Sequence, residues 1–214
     1  MSVFAVKMLN KMRILSNNFK ALLMIMALGL AALAVAAPAQ AAPAAAKGNI
    51  LVLTVHEGGK NGEVVIKLRP DLAPKHIAQI KKLVADGAYN NVVFHRVIDG
   101  FMAQTGDVEY GNRNHYNEAQ VGTGGSKYPN IPAEFSAAPF VRGTVGMARA
   151  ADPDSANSQF FICFDDAQSL NGQYTVIGEV VKGMNVIDGV KKGNVNNGGK
   201  VAGQPDYIVK AQLR

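Results

Sequence analysis

Apolar and polar residues alternate along Glu63-Val64-Val65-Ile66-Lys67-Leu68, which puts Val64, Ile66 and Leu68 on one face and predicts a strand with one buried side. Residues 49–55 are its predicted hairpin partner. Over residues 72–86 the period lengthens: Ile77, Ile80, Leu83 and Val84 recur at helical spacing, Asp71 is able to cap, Pro74 falls in the first turn and Gly87 lies just beyond. This segment predicts one amphipathic helix. Short apolar runs follow at 92–97, 101–105, 145–148, 160–164 and 174–180, separated by Gly, Pro, Asn and Asp, and each predicts a strand. A second short helix fits 184–190, and 207–213 reads as a closing strand. About eight strands with two helices at this spacing favour a closed barrel.

The N-terminal stretch follows neither pattern. Lys7, Lys11, Arg13 and Lys20 precede an apolar run over 21–37, and Ala39-Gln40-Ala41 follows, the three parts of a secretory signal cleaved after Ala41. The run sits at the short limit for spanning a hydrocarbon core of about 30 Å, and no cysteine directly follows it to carry a lipid. The expected organisation is therefore a cleavable signal over 1–41, a flexible mature N-terminus over 42–48 and one domain over 49–214, with no stable membrane insertion after cleavage. The leader also changes the charge. The whole chain has 22 basic and 16 acidic side chains and a net charge of +6, but the leader holds four of the basic ones and no acidic one, so the remainder stands at +2. Outside the leader, basic residues pair only as Lys81-Lys82 and Lys191-Lys192, too sparse for a nucleic-acid stripe. The one cysteine, Cys163, excludes an intramolecular disulfide and reads as a small hydrophobe inside a strand.

Several chemistries are poorly supported. The histidines at 56, 76, 95 and 115 include no i, i+4 ligand pair for zinc, and the chain has no Gly-x-Ser-x-Gly elbow. The glycine-rich Gly122-Thr123-Gly124-Gly125 lacks the Gly-Lys-Ser/Thr of a phosphate cradle. It lies in one of two long stretches, 106–139 and 191–205, that are expected to be functional or disordered. Side chains two apart in a strand share a face, so Met102 projects with Gln104 and Gln159 with Phe161. If those strands adjoin, they form an apolar patch edged by amides, with Arg96 the nearest permanent charge. That suits a small apolar ring attached to a polar backbone.

The segment Phe94-His95-Arg96-Val97-Ile98-Asp99-Gly100-Phe101-Met102-Ala103-Gln104-Thr105-Gly106-Asp107 resembles the signature of cyclophilin-type peptidyl-prolyl cis-trans isomerases. Gly122-Thr123-Gly124-Gly125, Gly143-Thr144-Val145-Gly146-Met147-Ala148 and Ser158-Gln159-Phe160-Phe161-Ile162-Cys163 follow in family order, so the resemblance spans roughly residues 49–213. It implies an eight-stranded antiparallel barrel closed by two helices, with the substrate site on its outer wall and no cofactor or metal. It also implies that Arg96 is the catalytic arginine, with Gln104 and Gln159 orienting the substrate. By the same likeness Phe101, Met102, Phe161 and Leu170 form a proline pocket, and Ala148 and Arg149 bind the peptide backbone. The expected partners are proline-containing unfolded or flexible polypeptides. With the leader, the likeness is to the exported, periplasmic bacterial branch, and a monomer is expected.

Three positions depart from the eukaryotic pattern: Ser169 stands where tryptophan is frequent, Tyr174 where histidine is, and Arg149 where asparagine is. The first implies weak cyclosporin binding with isomerase activity kept, while Tyr174 still supplies an aromatic wall and a hydroxyl. His95 reads as a structural strand histidine. Two rival readings remain: a non-catalytic chaperone or scaffold that holds proline segments, and a barrel with a ligand in its lumen. Arg96 argues against the first, since a pure binder needs no group tuned to a twisted amide. The strand Val, Ile and Phe side chains, which should fill the lumen, argue against the second.

Overall fold

The computed structural model describes residues 48–214, and the signal expected over 1–41 lies outside them, as does nearly all of the segment 42–48. Strands β1 (Ile50–Glu57) and β2 (Lys60–Leu68) form the expected hairpin, turning through Gly58 and Gly59, both at positive φ as the tight turn requires. Helix α1 (Pro74–Ala85) then buries His76, Ile77, Ile80, Leu83 and Val84. Its capping differs from the sequence expectation. Asp71 is held by the Arg69 guanidinium in a two-point pair, and the helix starts later, with Lys75 and His76 backbone N–H groups donating to the Glu134 carboxylate.

Strands β3 (Val92–Val93), β4 (Arg96–Ile98), β5 (Met102–Thr105), β6 (Thr144–Met147) and β7 (Phe160–Cys163) follow, then β8 (Val176–Lys182), helix α2 (Met184–Gly189) and β9 (Tyr207–Leu213). All pairings are antiparallel, in one sheet of order β3-β9-β1-β2-β8-β6-β7-β5-β4. The described residues thus hold nine strands rather than eight, because the expected strand over 92–97 divides. The Phe94 N–H still donates to Asp206 beside β9, but the His95 carbonyl accepts from Val201 and the Val97 N–H donates to Gly199, so the chain changes partner there. No ladder joins β3 to β4, and a closed eight-stranded barrel is not what the pairing shows.

Period two divides the side chains of the central strands between two apolar clusters. Ala103, Val145, Met147, Phe160, Ile162 and Ile177 face the inner core, where they meet α1 and the β1–β2 hairpin. Met102, Phe161, Cys163 and Val176 face outward into a second cluster with Phe140 and Leu170. Both faces of β7 are therefore covered, which is why Phe160–Cys163 reads as a continuous apolar run. The inner face is filled by aliphatic and aromatic side chains, leaving the outer cluster as the place for a ligand. The two long stretches are ordered by turns and single bridges, including Val92 with Asn112, Ile131 with Ala156 and Asn194 with Lys200. Among the described residues no helix is long and apolar enough to cross a membrane.

Candidate active site

Strand register sets one row of residues across the outer face. Arg96 on β4 stands opposite Gln104 on β5, Gln104 opposite Phe161 on β7, and Phe161 opposite Gly146 on β6. The absent side chain at Gly146 matters: a Cβ there would collide with the rings of both Phe161 and Phe140. Those rings stack with centroids 5.7 Å apart, and Tyr174 meets Phe161 edge-on at the same separation. A cavity of about 170 Å³ opens here, lined by Arg96, Phe101, Met102, Gln104, Ala148, Arg149, Phe161, Leu170 and Tyr174. Nine of the ten residues expected from the sequence share it.

Gln159 is the tenth and lies one step away. It lines an adjoining cavity of about 330 Å³ that shares Gln104, Ala148 and Arg149 with the first. It joins the site by hydrogen bonding, because Gln104 Nε2 donates to Gln159 Oε1 at 2.9 Å. Gln104 Oε1 in turn accepts from Arg96 Nη1 at 3.2 Å, and the same nitrogen lies 3.7 Å from Met102 Sδ. Arg96 Nε donates to the Gly198 carbonyl at 2.8 Å. The guanidinium is thus held at two points at the cavity wall, with Nη2 free of hydrogen bonds to the described residues. Burial pulls its pKa down from the usual arginine value while Tyr174 opposes, and it stays charged.

Arg149 is fixed as firmly. Its guanidinium donates to the carbonyls of Gln173, Ala150 and Ala151 and lies over the Tyr174 ring, so its side chain braces the rim of the cavity that Ala148 and Arg149 both line. Ser169 is exposed, with its carbonyl accepting from Gln173 Nε2, and does not line the cavity. His95 is buried beside Gln159 and near Gly122, and burial pushes its pKa down to about 4. Cys163 is buried and its thiol is pushed up to about 12 by desolvation, as suits a packed hydrophobe. Among the described residues no three His, Cys, Asp or Glu side chains are grouped to hold a metal ion.

Sequence reasoning missed three contributors. Phe140 falls between the long stretch 106–139 and the strand expected over 145–148, the Gly198 carbonyl lies in the stretch 191–205, and Gly146 carries no side chain to notice. Only Gly146 had a usable signal, being a glycine inside an apolar strand, which marks a close approach.

The arrangement offers a ring-sized cavity walled in part by Phe101, Met102, Phe161 and Leu170, a fixed cation at its edge and oriented amides beside it, without a nucleophile. A family model for cyclophilin type peptidyl-prolyl cis-trans isomerase/CLD matches residues 52–213. A Brucella suis biovar 1 (strain 1330) protein named "Probable peptidyl-prolyl cis-trans isomerase" is 64% identical over 155 residues, covering 72% of this chain and 79% of its own. Peptidyl-prolyl cis-trans isomerase B of Escherichia coli (strain K12) is 37% identical over 139 residues, covering 61% and 79%. Among solved structures, cyclophilin AquaCyp293 from Hirschia baltica superposes with a TM-score of 0.64 at 25% identity, covering 78% of this chain and 74% of that one. Sequence, fold and relatives agree, and this chain belongs to the cyclophilin-type peptidyl-prolyl cis-trans isomerase family.

Proposed function

We propose that the chain accelerates rotation about X-Pro bonds in exported polypeptides, with the proline ring in the 170 Å³ cavity and Arg96 as the catalytic group. The observation that carries this reading is the placement of Arg96 over a ring-sized cavity walled in part by Phe101, Met102, Phe161 and Leu170, with one nitrogen unengaged. Amide resonance sets a barrier of about 18 to 20 kcal/mol, and uncatalysed X-Pro bonds turn over in tens to hundreds of seconds. As the amide twists, the prolyl nitrogen gains a lone pair that a guanidinium N–H donates to, an interaction stronger in the twisted state than in the planar one. Met102, Phe161 and Leu170 hold the ring while Gln104 and the backbone at Ala148 and Arg149 hold the chain, so rotation occurs about one bond in a fixed frame.

The test is cis-to-trans conversion of an Ala-Pro tetrapeptide by the purified protein beside its Arg96→Ala variant. Acceleration by the parent and loss of most of it in a folded variant support the assignment. An inactive parent that still binds proline peptides would favour a non-catalytic holding protein, and equal activity in both would remove Arg96 from the mechanism.

The leader supports export to the periplasm, and N-terminal sequencing of the protein recovered from the periplasmic fraction should begin at Ala42. A monomer is the oligomeric state we infer, and sedimentation of the purified protein as a dimer would overturn it. Serine at 169, where family members that bind cyclosporin frequently carry tryptophan, makes weak cyclosporin binding the expected outcome, and nanomolar affinity by calorimetry would contradict this.

A further inference from the structure

The glycine-rich loop 122–125 has no role in the mechanism above, yet Gly122, Thr123 and Gly124 line the cavity adjoining the site, and the loop holds Gln159 there. Gln159 Nε2 donates to the carbonyls of Gly122 and Gly124, at 3.1 and 2.8 Å. Both amide hydrogens are thereby committed, so Gln159 Oε1 must face Gln104 and accept from its Nε2. That leaves Gln104 Oε1 facing Arg96. Each amide has only one orientation that avoids placing NH2 against NH2 or a carbonyl against a carbonyl. The polarity of the whole chain of groups is set at the loop.

The loop is itself held by Asp107, which is fully buried. Its Oδ2 accepts from the N–H groups of Gly122 at 2.7 Å and Gly124 at 3.1 Å, and its Oδ1 from those of Glu109 at 3.1 Å and Tyr110 at 2.8 Å. Among the described residues no lysine or arginine forms a salt bridge with it, and these four N–H groups are the hydrogen-bond donors to its side-chain oxygens. Gly124 is required for the approach, because a Cβ there would collide with Asp107 Oδ1.

We propose that Asp107 is a positioning residue for catalysis, orienting Gln159, Gln104 and Arg96 in turn by pinning the Gly122 and Gly124 carbonyls. The proposal rests on the isomerase reading. In an Asp107→Asn variant one oxygen becomes an NH2 group facing N–H donors, so either the Gly122 and Gly124 side or the Glu109 and Tyr110 side loses its acceptor, the anchor of the loop is weakened, and the amides lose their fixed polarity. The expected result is a fall in kcat of about tenfold with KM changed less than about twofold, because the Met102, Phe161 and Leu170 pocket is untouched.

A double-mutant cycle with Gln159→Leu separates positioning from general damage. If Asp107 acts through Gln159, the double variant is no slower than the worse single variant, whereas multiplying losses would overturn the proposal. If Asp107→Asn fails to fold, Gly124→Ala displaces the same loop and enters the same cycle with the same expected outcomes. An independent readout is the side-chain amide NMR signal of Gln159 without substrate, which should shift in either loop variant, and an unchanged signal would also overturn the proposal. If the parent shows no isomerase activity, the isomerase reading falls, and the amide signal alone decides whether Asp107 orients Gln159.

Discussion

Arg96 owes its aim to two acceptors on separate segments, the Gly198 carbonyl and Gln104 Oε1. A lysine in its place offers a single ammonium instead of a planar fork whose Nε and Nη1 each meet one acceptor, so charge alone should not restore activity. Arg96→Ala and Arg96→Lys are both expected to lower kcat/KM by about 10² to 10³-fold in the tetrapeptide assay, the range for removing one preorganised donor. Retention of most activity by the lysine variant would show that charge suffices without orientation. Gly146 presents the opposite case, a residue whose contribution is empty space. Gly146→Ala should push the Phe161 and Phe140 rings off the strand, costing about 1 to 3 kcal/mol in urea unfolding and raising KM for proline peptides.

At the scale of elements, α1 is held by a carboxylate remote in sequence. Glu134 accepts from the N–H groups of Lys75 and His76 and sits 2.6 Å from His76 Nδ1, replacing the local cap that Asp71 would have supplied. Removing it leaves helix-end donors unsatisfied and a buried imidazole without its partner. Glu134→Ala should destabilise the protein by about 1 to 3 kcal/mol, whereas Asp71→Ala, which breaks only an exposed ion pair with Arg69, should change stability by less than about 1 kcal/mol. Chemical denaturation of both variants checks the contrast. Strands β5 and β7 show how one element serves two ends: Ala103, Phe160 and Ile162 fill the core while Met102 and Phe161 line the cavity. A substitution on either face therefore disturbs the other through the shared backbone.

For the whole molecule, buried histidines set the response to acid. Burial lowers the pKa of His95 from 6.5 to about 4, and lowers that of His76 despite the Glu134 carboxylate beside it. Between pH 6.5 and 4 the unfolded chain binds the proton at His95 and the folded one does not. The stability that depends on this neutral histidine is thus full above 6.5 and lost as pH falls toward 4. The loss amounts to roughly 3 kcal/mol at most, at about 1.4 kcal/mol per pKa unit. Urea unfolding across this range should show the decline in the parent and a shallower one in His95→Gln. An identical slope in both would refute the assignment.

The sequence by itself determined the hairpin, α1, the strand runs and the pairing of Met102 with Gln104 and Gln159 with Phe161, because periods of two and 3.6 are properties of local backbone geometry. The ordered motifs added the family and, through it, nearly all of the cavity lining. Only the tertiary structure decided the rest. It divided the strand at Phe94 and His95, because the backbone partners there come from residues 199–206. It assigned the helix cap to Glu134 across 58 positions and an anchor of Arg96 to Gly198 across 102. It also joined Gln104 to Gln159 across 55. Such bonds form between groups that no local period relates, so they exist only once the sheet has curled and brought the two long stretches against it.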